Sequence, residues 1–110
     1  MSNIPEIDIR QLTAAVQSGY LNEVVSTVND QVIRVSVMTS GYPWHAHPNS
    51  DETFIVMEGT LVLETKEKVL HLEPGKIATI PAKVAHRTRP GGIRSVNLTV
   101  EDQQTETVFL

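Results

Sequence analysis

The sequence predicts an all-β sandwich or barrel preceded by one short N-terminal helix. Three observations carry that prediction. From Glu23 onward the chain is a series of short β-branched and apolar runs. Turn signals break these runs at intervals of about 8–12 residues, the rhythm of antiparallel β architecture. Helical spacing is confined to the first 22 residues.

Taken in order, Ile9, Leu12 and Val16 recur at helical spacing. Asp8 and Gln11 have capping-box spacing, and Gly19 can end the helix. An extended arm beginning at Ile7 is the alternative for this segment. Val24 to Val28 forms the first strand, Asn29-Asp30 a turn, and Val32 to Thr39 the second strand. Phe54 to Met57 and Thr60 to Leu63 flank Glu58-Gly59, which suits a tight hairpin. Lys66-Glu67 marks the next turn, before Val69 to Leu72, and Pro74-Gly75 another, before Ile77 to Ile80. Gly91-Gly92 separates His86 to Arg89 from Ile93 to Val100.

Composition narrows the function. With 40% hydrophobic and 20% charged residues, the 110-residue chain reads as an ordinary soluble globular domain spanning 1–110. Within it, residues 1–22 form the arm or helix and 23–110 the barrel. A net charge of −4 lacks the basic footprint of a nucleic-acid binder. No apolar run reaches the ~18 residues of a membrane span. The start of the chain, Met1 to Glu6, has no basic stretch leading into an apolar core, so no signal peptide is expected. Cysteine is absent, which excludes disulfides, thiolate metal sites and cysteine nucleophiles and fits a reducing cytoplasm. A nucleotide-binding fold is not indicated, because no glycine-rich loop opens a helix after a strand.

The chemistry concentrates in the histidines. His45 and His47 are two residues apart, so on a strand both imidazoles point to one face while Ala46 points away. Pro48 biases His47 toward extended geometry. Glu52 shares a face with Phe54 and Val56, and a carboxylate among apolar side chains needs a counter-charge or a metal. His86 lies on a later strand able to close the other side, with Thr88 in the same phase. Three imidazoles and one carboxylate suit a divalent first-row ion such as Mn, Fe, Co, Ni, Cu or Zn. Each histidine taken alone reads equally well as an ordinary hydrogen-bonded residue. His71 alternates with Leu70 and Leu72 and reads as a surface residue; Asp51 is the nearest substitute for Glu52. Phe54, Val56 and Thr88 are expected to line a largely apolar pocket, better suited to a small organic ligand than to a phosphate.

These residues resemble the two motifs of the cupin superfamily. The first motif is matched by Gly41, His45-Ala46-His47, Glu52 and Gly59, and the second by Gly75, Pro81-Ala82-Lys83 and His86. Together they run from Gly41 to Pro90. Three departures stand out. Three residues rather than five separate Gly41 from His45, Lys83 replaces a glycine, and Pro90 replaces an asparagine. If the backbone at Lys83 needs positive φ, lysine is strained there, so a rebuilt turn is expected. The resemblance implies a double-stranded β-helix, the cupin jelly-roll barrel, with one metal inside. Tyr42-Pro43-Trp44-His45 also resembles small bacterial cupins described as mannose-6-phosphate-isomerase-like. Such proteins are similar to dioxygenases, isomerases, epimerases and oxalate-degrading enzymes, and some sense or carry a ligand without turning it over. The expected cofactor is therefore a divalent transition metal (Zn, Ni, Fe or Mn), held by His45, His47, Glu52 and His86, and the expected partner a small molecule. Thr53, Ile55 and Met57, the outward phase of the Glu52 strand, are also mostly apolar. Either the N-terminal helix or a second subunit should cover them. The expectation is a homodimer.

Overall fold

The expected strands form, but they pair in an order that the turn signals alone do not give. The computed structural model describes residues 3–110; Met1 and Ser2, where the N-terminal arm and the reading of a missing signal peptide begin, lie outside them. Helix α1 spans Ile9–Ala14. Asp8 caps it by accepting a hydrogen bond from the Gln11 amide at 3.1 Å. The helix ends at Ala14, five residues before Gly19. Gly19, at a φ of +84°, instead turns the chain into the first strand.

Ten strands follow: β1 (Tyr20–Val28), β2 (Gln31–Met38), β3 (Tyr42–Ala46), β4 (Glu52–Glu58), β5 (Leu61–Thr65), β6 (Val69–Leu72), β7 (Ile77–Ile80), β8 (His86–Pro90), β9 (Ser95–Asp102) and β10 (Val108–Phe109). β1 begins at Tyr20, earlier than the β-branched run, because Tyr20 to Glu23 pair with β2. The strands make two five-stranded sheets, β1-β2-β9-β4-β7 and β10-β3-β8-β5-β6. β5 and β6 form the innermost hairpin; β4 pairs with β7, β3 with β8 and β2 with β9 outside it. A long antiparallel hairpin rolled so that its successive pairs alternate between two sheets is a double-stranded β-helix. Two facing sheets bury one interior between them.

This rolling corrects the hairpin expected at Glu58-Gly59. β4 and β5 lie in different sheets, so the turn is a crossover. Gly59 has a φ of +71°, and a Cβ there would collide with the Arg94 carbonyl oxygen. The turn between β6 and β7 is likewise a crossover, whereas Lys66-Glu67 closes a true hairpin. The turn at Lys83 is not rebuilt. Lys83 adopts a φ of +75°, and its amide donates to the His47 carbonyl at 2.8 Å. The glycine conformation is kept with a lysine in it.

The interior has two unlike regions. An apolar region is formed by Met38, Phe54, Val56, Leu61, Leu63, Leu72 and Ile80. The other region is polar. Asn97, Thr99 and Glu101 on β9 and Ser36 on β2 are buried in it. The opposite phase of the β2–β9 pair, Val35, Val37 and Val96, is just as buried, because Ile9, Leu12 and Val16 pack on it from outside. Helix α1 therefore seals the outer face of β2 and β9 rather than that of β4. Arg94 pins it there, donating to the carbonyls of Thr13 and Val16 and to the Glu58 carboxylate. Among the described residues no helix is long and apolar enough to cross a membrane.

Candidate metal centre

The rolled topology brings three distant chain segments to one point. β3 and β8 are neighbours, and His45 stands opposite His86 in their register. Glu52 opens β4 in the facing sheet. His47 follows β3 directly, and its burial matches that of His45, so the two imidazoles share the interior as their spacing predicts. One ligand atom from each of His45, His47, Glu52 and His86 lies within 4.8 Å of the others, and all four residues are buried. His71 is exposed on β6. Asp51 is exposed too, and its carboxylate accepts from the Ala82 amide at 2.8 Å, so it fastens the loop before β8.

Backbone carbonyls set the ring orientations. Nδ1 of His45 meets the Pro43 carbonyl at 2.8 Å, Nδ1 of His47 the Glu106 carbonyl at 2.9 Å, and Nδ1 of His86 the Val84 carbonyl at 2.9 Å. A carbonyl only accepts, so each Nδ1 carries a hydrogen, and each ring turns Nε2 inward, where it takes either a proton or a metal ion. Nε2 of His47 and His86 lie 3.1 and 3.2 Å from the same Glu52 oxygen. Two lone pairs beside a carboxylate repel unless a proton or a metal ion stands between them. Donors bound to one first-row ion at about 2.1 Å lie at most about 4.2 Å apart. The observed spread needs only small side-chain shifts to meet that limit, so the donor set fits a divalent transition ion.

The electrostatics agree with this arrangement. Burial by itself would raise the Glu52 pKa, but the hydrogen bonds and charge of His47 and His86 outweigh it and hold the carboxyl at about 2. The Glu52 hydrogen bond raises the His47 pKa against its burial. Burial lowers that of His45, with the neighbouring imidazoles adding to the effect.

A cavity of ≈ 380 Å³ opens beside the four residues. Phe54 and Thr88 line it, whereas Val56 lies in the apolar core and does not face it. The expectation of a largely apolar lining is overturned. Asn22, Arg34, Ser36, Asn97, Thr99 and Glu101 make the wall opposite β3 polar. Arg34 donates from Nε to Glu101 at 3.1 Å. Glu101 is a buried carboxyl in the cavity; burial first, and then the charge of Glu52, raise its pKa. The sequence signal for this wall is the alternation from Ser95 to Glu101. A polar phase on a strand ordinarily faces solvent, so alternation alone points it outward. The C-terminal segment, for which the sequence carries no turn or strand signal, also contributes to the site. β10 pairs with β3, Thr105 and Thr107 line the cavity, and Glu106 supplies the carbonyl that orients His47.

A model of the cupin domain matches residues 31–100 of this chain. The chain belongs to the cupin family. This cupin is 44% identical over 96 residues to the uncharacterized protein YdbB of Bacillus subtilis (strain 168), a match covering 86% of this chain and 84% of that one. Its fold superimposes on a cupin-2 domain containing protein from Shewanella frigidimarina with a TM-score of 0.80, at 25% identity and over 88% of this chain and 94% of that one. A protein with a double-stranded β-helix domain from Klebsiella pneumoniae gives 0.81 at 19% identity, with 97% of both chains covered, and supports the fold alone.

Proposed function

We propose that this cupin holds one divalent transition ion through His45, His47, Glu52 and His86 and binds or transforms a small organic molecule in the cavity beside it. The single observation that carries the reading is the inward convergence of three Nε2 atoms and one carboxylate oxygen, with every imidazole locked from behind by a carbonyl. Zn, Ni, Fe and Mn all accept such a mixed nitrogen–oxygen set. When bound, the ion would supply Lewis-acid or redox chemistry at the cavity wall.

The chain's own residues do the rest. The carbonyls of Pro43, Val84 and Glu106 hold the hydrogen on Nδ1 of each ring, which leaves Nε2 as the nitrogen that can bind metal. Glu52, ionised throughout the physiological range, contributes the negative charge. Glu101 is a second carboxyl in the same cavity, able to take or give a proton where a ligand would lie.

This reading covers both a cupin enzyme, such as a dioxygenase or isomerase, and a non-enzymatic ligand sensor. It takes the whole chain as one small domain, a homodimer, working in the cytoplasm, where a cysteine-free protein loses nothing to reducing conditions. The test is elemental analysis of protein purified without a metal-affinity column, followed by oxygen consumption and turnover on a substrate panel. About one equivalent of a transition ion per chain is expected. Protein that is folded but takes up no ion would overturn the metal reading. A metal-loaded protein that binds ligands without turnover selects the sensor.

A further inference from the structure

Strand β9 turns four successive alternate residues inward: Ser95, Asn97, Thr99 and Glu101, none more than 7% exposed. Each has a buried side-chain oxygen with no hydrogen-bond partner: Ser95 Oγ, Asn97 Oδ1, Thr99 Oγ1 and Glu101 Oε2. Buried polar atoms are partnered in the great majority of cases, and an unpartnered one destabilises the fold that holds it. Four in register on one strand need a common cause. Ser95 does not face the cavity, but Asn97, Thr99 and Glu101 all do.

We propose that Asn97, Thr99 and Glu101 form a recognition strip for a neutral, polyhydroxylated ligand of about monosaccharide size, lying along β9 in the metal-side cavity. This rests on the reading of that cavity as the ligand site and names the chemical class it takes. The free atoms are a carbonyl-type oxygen, a hydroxyl and a carboxylate oxygen, so the strip is rich in acceptors and calls for a ligand rich in donors. Hydroxyl groups supply them. Alternate residues of a strand are about 6.8 Å apart, so a ligand meeting neighbouring members must carry hydroxyls at more than one position.

Along β9 itself, away from the metal ligands, the side-chain charges do not favour an anion. Arg34 is the cation among the residues lining the cavity. Its Nε is taken by Glu101 and its Nη1 by the Asn22 carbonyl at 3.3 Å. That ion pair holds one Glu101 oxygen and leaves the other facing inward. A phosphate or carboxylate placed against β9 would meet the Glu101 carboxylate, whose charge the Arg34 guanidinium already balances.

The experiment is calorimetric titration of the full-length, metal-loaded protein with myo-inositol, xylitol and D-glucose. Cyclohexanol serves as the hydroxyl-poor control and glucose 6-phosphate as the anionic arm. Expected is binding of at least one neutral polyol, at least tenfold tighter than cyclohexanol and tighter than the phosphate ester. Asn97→Leu and the nearly isosteric Thr99→Val should each weaken it about tenfold with unchanged metal content. Both should also melt about 2–5 °C higher without ligand, since an orphaned polar atom is removed. If no polyol binds better than cyclohexanol, if the phosphate ester binds best, or if Thr99→Val binds as the wild type does, the strip holds ordered water and the proposal falls. Metal content measured on the same samples separates the two readings. Metal bound without polyol affinity sinks this inference alone, and polyol affinity without metal sinks the metal assignment alone.

Discussion

His45 and His86 stand directly opposite each other across the β3–β8 ladder, with ring centroids 4.2 Å apart. Forty residues separate them in sequence, and the rolled hairpin makes them neighbours. A metal held between such partners stabilises the fold that joins them, because it binds the folded chain and not the unfolded one. A chelator should therefore lower the melting temperature of the wild type while leaving it folded, since the apolar core of Leu61, Leu63 and Val56 does not depend on the ion. His86→Ala should show the lower value with or without chelator. His71→Ala, altered on the exposed face of β6, should respond as the wild type does. Thermal melts of the three proteins, with and without chelator, check this, and equal behaviour of His71→Ala and His86→Ala would refute the assignment.

The metal's contribution should depend on pH. Imidazoles bind metal in the neutral form, so protons compete below their ordinary pKa of about 6.5. In metal-stripped protein, Glu52 has a folded pKa lowered by its imidazole partners, so its contribution is present above about 4.5 and is lost as pH falls toward about 2. His47 has a folded pKa raised by Glu52, so its contribution is full below about 6.5 and disappears as pH rises through the raised value. His45, lowered by burial, opposes this by disfavouring the folded state below about 6.5. The stripped protein thus retains its Glu52–His47 pairing at pH 5, where metal binds worst. The melting shift produced by a chelator should be small at pH 5 and large at pH 7.5, and a shift independent of pH would count against imidazole ligation.

Lys83 sits at a φ of +75°, a conformation that costs a side-chain-bearing residue about 1–2 kcal/mol. Glycine removes that strain but loses more chain entropy on folding, by about 0.5–1 kcal/mol. Lys83→Gly should therefore raise stability by up to about 1.5 kcal/mol in chemical denaturation. Lys83→Val, β-branched at the same φ, should lower it.

Arg94 ties helix α1 to the barrel through the Thr13 and Val16 carbonyls and the Glu58 carboxylate. Hydrogen bonds from a charged donor contribute about 1.5–3 kcal/mol when partly buried. Arg94→Ala should cost about 2 kcal/mol and increase amide exchange in Ile9–Ala14 before the strands are affected. Unchanged exchange in the helix would show that Ile9, Leu12 and Val16 hold it unaided.

Helix α1 leaves the outer face of β4 and β7 uncovered, where Met57 and Ile77 are 43% and 61% exposed. If a second copy covers this face, light scattering at micromolar concentration should give twice 12.2 kDa. Ile77→Glu should then return the protein to the single-chain mass. A wild-type particle of single-chain mass excludes the dimer.

Most of the strands, the helix cap at Asp8 and the grouping of His45, His47, Glu52 and His86 are legible in the sequence, whereas β10 is not. These are read from local rules: β-branched runs, capping chemistry, the two-residue spacing of His45 and His47, and motif positions that place Glu52 and His86 with them. Tertiary structure decided three further matters. It decided which turns are hairpins, because Glu58-Gly59 and Lys66-Glu67 carry similar local signals and only the rolling of the sheets separates a crossover from a hairpin. It kept Lys83 in a glycine conformation, because the His47 carbonyl is there to receive its amide. It also decided which phase of β9 faces inward. Alternation from Ser95 to Glu101 defines two faces without saying which is the interior. Helix α1 covers the apolar phase from outside, so Asn97, Thr99 and Glu101 are left facing the cavity, and a polar phase that reads by itself as solvent-facing becomes a wall of the cavity.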